Sequence, residues 1–184
     1  MKIIFVISSS ANTINGIRNS TTLLSKALKD LNGVDASVMT VVDGGEGKFN
    51  DEEIMRYCEK ILLKASLVVF NGVYNFRYFL IASKLEHYNI PYVISPRSSL
   101  MRASLKKNML RKFWFLILCN SFIRNSVAFH FLNFEEANHS YKFGKIWFLA
   151  NNIIEKTNLN KNCSFDSKVI GFYGRYDVTH KGLD

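Results

Sequence analysis

The chain has 184 residues, nearly half of them apolar and fifteen of them phenylalanine, enough to bury a domain of ordinary size and too hydrophobic for a disordered class. Its longest apolar stretch, Phe113 to Cys119, falls far short of the roughly 20 residues that span a bilayer. A net charge of +9 favours anionic partners: nucleic acid, a phosphorylated small molecule or an anionic membrane surface.

In chain order, Lys2 to Ser8 reads as a first strand; the apolar run is too short for the hydrophobic region of a signal peptide. A polar loop, SSSANTING, leads to a helix over about Ile17 to Leu31, then a strand over Ala36 to Val42. Asp51 to Lys64 is predicted helical with Asn50 as its cap. Leu67 to Phe70 forms a third strand closed by Asn71-Gly72, and a helix over about Phe76 to Tyr88 ends at Asn89 and Pro91. Strands follow at Tyr92 to Ser95, Val127 to Leu132 and Ile146 to Leu149. The polar segment Glu155 to Ser167 reads as a linker before a last strand, Lys168 to Tyr173.

Near-continuous hydrophobic strands alternating with helices specify a mostly parallel sheet covered on both faces. The fold class is therefore α/β, a doubly wound Rossmann-like domain, with ligands at the carboxyl ends of the strands. Cys58, Cys119 and Cys163 fit no metal or redox spacing and read as free thiols in a reducing, cytoplasmic compartment.

Four segments carry candidate chemistry. In GRYDVTHKG, Gly174 permits a tight turn, while Arg175 and Lys181 offer two cations at a strand-to-helix junction suited to phosphate. A charged surface loop would show the same spacing. The loop after the first strand, with Asn15 and Gly16, can present hydroxyls and backbone N–H groups to an anion, or be an ordinary solvated loop. It contains neither a dinucleotide fingerprint nor a P-loop. Arg97 follows the fourth strand directly and should project from the functional edge of the sheet. Finally, no carboxylate stands between Glu86 and Glu135, while seven lysines and arginines do, around the segment FWFLILC. Basic residues beside aromatics suit an anionic lipid interface. On one helical wheel, however, these charges do not gather on one side, so a core-packed helix with solvated cations is the competing reading. His130 reads as a satisfied core residue, and Asn133 with Glu136 as a capping box that accounts for Glu136 structurally. No nucleic-acid-binding motif is present.

In order, NIPYVISPRSSLMRASLKK, AFHFLNFEEA, IWFLANNII and KVIGFYGRYDVTHKGLD resemble successive segments of the glycosyltransferases of family 4, which have the GT-B fold. The resemblance implies an enzyme that transfers a sugar from a nucleotide-sugar donor to an acceptor between two Rossmann-like lobes, with retention and without metal or cofactor. It implies that residues 1–154 form the acceptor-side lobe, 155–167 an interdomain linker, and 168–184 the start of a donor lobe. Gly174, Arg175 and Lys181 would hold the donor diphosphate, Asn15 and Gly16 would face the cleft, and Arg97 would lie on the acceptor side. The family's glycine after the arginine is Ser98 here, and its Pro-Asn-Gly turn is Ala150-Asn151-Asn152. The expected role is bacterial surface-polysaccharide synthesis on a lipid-linked acceptor at the inner face of the membrane, with this chain inactive alone. The alternatives are a flavodoxin-like module binding a flavin mononucleotide, and a non-catalytic membrane- or acceptor-binding domain.

Overall fold

The computed structural model describes residues 1–9, 16–42, 56, 59–106 and 108–153. Strand β1 (Lys2–Ser9) is followed by helix α1 (Gly16–Lys29), β2 (Asp35–Val42) and β3 (Leu67–Asn71). Helix α2 (Phe76–His87) then leads to β4 (Tyr92–Ser95). Three short helices come next: α3 (Arg102–Lys106), α4 (Met109–Leu118) and α5 (Asn120–Arg124). The described part closes with β5 (Ala128–Phe131), α6 (Phe134–His139) and β6 (Trp147–Leu149). Residues 59–62 are helical, inside the helix expected over 51–64; Asn50, Cys58 and Cys163 lie outside the described residues. So do the linker and the last strand expected over 155–173.

The six strands form one all-parallel sheet in the order β2-β1-β3-β4-β5-β6. This is the expected doubly wound, Rossmann-like α/β architecture. Along each strand alternate residues face opposite sides. Ile4, Val6, Val68, Phe70, Tyr92, Ile94, Phe129 and Phe131 enter the larger core, with Tyr78, Ile81 and Leu85 of α2 and Phe122 of α5. Phe70 is its centre, with the rings of Tyr78, Tyr92 and Phe122 between 5.1 and 5.5 Å away. Ile3, Phe5, Ala36, Val69 and Val93 face the other way, toward Leu24 and Leu28 of α1.

Local chemistry sets the helix ends. Asn75 caps α2 by accepting from the Arg77 N–H at 2.9 Å. At its other end Asn89 stands at φ +54°, the Asn89 N–H bonds the Glu86 carbonyl and the Ile90 N–H bonds the Leu85 carbonyl. Those two bonds and the left-handed residue are a Schellman motif, with asparagine in the place glycine usually takes.

Two expectations are corrected. The basic stretch is not one helix: Asn108, at φ +59°, separates α3 from α4. A single helical wheel across it therefore mixes two helices. Nor is α4 packed in the core, since none of its residues is buried; only Phe115 and Leu116 lean on the core. Likewise β6 is apolar but exposed at all three positions, because it is the outer strand of the described sheet.

Candidate functional site

In a parallel α/β sheet, ligands gather outside the carboxyl ends of the strands where the strand order reverses. Here that reversal lies between β1 and β3. Asn71 ends β3 and is 4% exposed. Its Nδ2 donates toward the Val6 carbonyl of β1 at 3.5 Å, while its own carbonyl accepts from the Tyr78 hydroxyl at 3.2 Å. An asparagine fixed on both sides leaves its Oδ1 as an acceptor in a set position.

Arg97 occupies that acceptor. Its Nε donates to Asn71 Oδ1 at 2.9 Å, and its Nη1 donates to Asn152 Oδ1, just after β6, at 2.7 Å. The guanidinium thereby links the ends of β3, β4 and β6. Burial pulls its pKa below the ordinary arginine value, an effect that nearby Glu136 opposes. Arginine starts so far above neutrality that the group remains a cation.

The backbone that aims Arg97 is strained. Arg97 and Ser98 stand at φ +53° and +64° in succession, a region that non-glycine residues seldom adopt and that carries a conformational cost of about 1–3 kcal/mol each. Glu136 holds this turn. Its Oε1 accepts from the Ser98 N–H at 2.5 Å and its Oε2 from the Leu132 N–H at 2.8 Å. Asn133 does cap α6, accepting from the Glu136 N–H at 2.7 Å. The capping-box reading of Glu136 is thus corrected: its carboxylate clamps the loop after β4 to the loop after β5.

His130 on β5 bonds the Ala150 carbonyl through Nε2 at 2.9 Å and stacks on Phe148. Burial lowers its pKa, Arg97 acting in the same direction while the Ala150 carbonyl and Glu136 oppose it. It is a neutral, satisfied core histidine, as its place in a strand indicates.

Of the residues singled out from sequence, Arg97 stands in this cluster. Gly16 opens α1, at the carboxyl side of β1, and is exposed. Asn15, Gly174, Arg175 and Lys181 lie outside the described residues. Sequence reasoning did not single out Asn71 or Asn152 as Arg97's partners, nor Glu136 as its clamp. The available signal was a lone asparagine ending a buried apolar strand. No protein-family model, curated protein or solved structure matches the chain. Among the described residues, no helix is long and apolar enough to cross a membrane.

Proposed function

We propose that the chain is the acceptor-side lobe of a glycosyltransferase with two Rossmann-like lobes, acting from a nucleotide-sugar donor on a lipid-linked acceptor at the inner face of a bacterial membrane. The observation that carries this reading is Arg97, a fixed cation at the carboxyl edge of a parallel sheet beside the strand reversal. A cation so placed suits an anionic or phosphorylated acceptor. The left-handed Ser98 also supports the reading, because the resembling segment has a glycine at that position, where only glycine is free of strain. Arg175 and Lys181 would supply the donor-diphosphate contacts, an electrostatic role at the departing phosphate.

The test uses the product of the complete gene, membrane lipid extract and radiolabelled nucleotide sugars. Transfer to lipid is expected, and Arg97→Ala should raise the acceptor KM about tenfold or more. A complete product that consumes no nucleotide sugar would sink the reading.

One observation favours a second reading. The order β2-β1-β3-β4-β5 is also that of flavodoxin-type mononucleotide binders. A purified chain with bound flavin absorbance would decide for it.

A further inference from the structure

With no lining residue shared with the Arg97 cluster, the loop after β3 and the start of α4 enclose a recess of about 350 Å³, lined by Tyr74, Phe76, Asn108, Arg111, Lys112 and Phe115. That volume is within the range of small-ligand sites, and its lining combines two cations and three aromatic rings with no carboxylate. The walls are fixed. The Tyr74 ring meets Phe115 edge-on at 5.5 Å, and the Lys112 ammonium stands 5.3 Å from its centroid. Lys112 is itself tied to the carbonyl and hydroxyl of Ser104. The Tyr74 hydroxyl is buried beside this recess without a hydrogen-bond partner. Burial pushes its pKa up to about 12, so it is a neutral donor at physiological pH. A buried donor with no acceptor is penalised, and an anionic oxygen seated in the recess would relieve that penalty once the side chains covering the hydroxyl part to admit it.

The neighbouring face of α4 identifies where such an anion comes from. Met109, Leu110, Phe113, Trp114, Ile117 and Leu118 are each at least half exposed. At 100° per residue they share one side of the helix, while Phe115 and Leu116 lean inward. A helix with this outward stripe, including a tryptophan and a phenylalanine, fits the headgroup–acyl boundary of a bilayer. The absence of any acid from His87 to Phe134 removes the repulsion an anionic surface would meet. A soluble anion would use the recess and leave the stripe in water; a membrane lipid uses both.

We propose that the recess between Tyr74, Arg111 and Lys112 binds the phosphate of a membrane lipid, with the exposed face of α4 seated in the bilayer interface. This site is separate from Arg97 and does not depend on sugar transfer.

Flotation with vesicles tests it on the 184-residue chain. Three compositions are compared: phosphatidylcholine alone, and phosphatidylcholine with about one fifth phosphatidylglycerol or about one fifth phosphatidic acid, the two anionic lipids differing in how fully the phosphate is exposed. Binding to phosphatidic acid should exceed that to phosphatidylglycerol about tenfold, the gain expected of charge-assisted bonds to an accessible phosphate. Tyr74→Phe and Arg111→Ala should each erase most of that preference. Trp114→Ala should weaken binding to every vesicle about tenfold, through lost interfacial apolar area. Tyr74→Phe removes an unpartnered hydroxyl, so its thermal unfolding should come at or above the parent's temperature. The proposal is overturned if the two anionic vesicles bind alike, or if both recess variants keep the preference. It is also overturned if inorganic phosphate removes the preference for phosphatidic acid no better than chloride at the same ionic strength, which would mark bulk charge and not a phosphate site.

Discussion

A carboxylate only 3% exposed must be paired. Glu136 meets that requirement with two backbone N–H groups from different loops, and the strained turn that presents Arg97 follows from it. His130 shows the same economy with the opposite charge state. Burial favours its neutral form and lowers its pKa from the ordinary 6.5, so folding and protonation compete. The sign follows directly. Above the unfolded value of 6.5 neither state is protonated, and the contribution of the neutral ring is complete. As pH falls below that value the unfolded chain binds a proton that the folded chain refuses, and stability declines until the folded pKa is reached. Urea unfolding between neutral pH and about pH 5 should therefore show a steeper loss of stability for the parent than for His130→Gln. Parallel curves would mean that His130 titrates normally in the fold.

At the scale of elements, much was legible because it is local. Apolar runs marked β1 to β5 to within a residue or two, and Asn89 marked the end of α2. What escaped was set by distant partners. Arg97 could be placed after β4 by counting, but Asn71 and Asn152 lie 26 and 55 residues away from it. The break at Asn108 also escaped, since neither glycine nor proline marks it. For β6 the strand was legible and its exposure was not: three apolar residues suggest burial, and only the sheet order makes them an edge. Ile146, beside that edge, is 77% exposed and Leu149 is 43% exposed, which makes the edge a template for association. Sedimentation should show association that rises with concentration, and Ile146→Lys with Leu149→Lys should shift the chain toward monomer with little change in melting temperature. A parent that stays monomeric at every concentration would show that this edge does not recruit a second chain.

At the scale of the whole molecule, the sheet divides the interior of the described residues unequally. One face meets α2, α5 and α6 and carries the aromatic cluster around Phe70; the other meets α1 through a smaller set in which Phe5 is the one aromatic ring among the described residues. Val68 and Val69 are adjacent on β3 and point to these two faces, so they offer a matched comparison with the same atoms deleted. Val68 is fully buried within the larger cluster, whereas Val69 keeps 8% of its surface exposed. Removing two methyl groups costs the lost transfer free energy plus a cavity that the surroundings refill only in part. The crowded face, braced by aromatic rings, has little freedom to collapse. Val68→Ala should then cost about 2–3 kcal/mol and Val69→Ala about 1–2 kcal/mol. Both should appear as shifts in the urea midpoint without a change in slope. Equal costs would mean that the α1 face is packed as rigidly as the other, and that the stability of the fold does not rest mainly on the layer around Phe70.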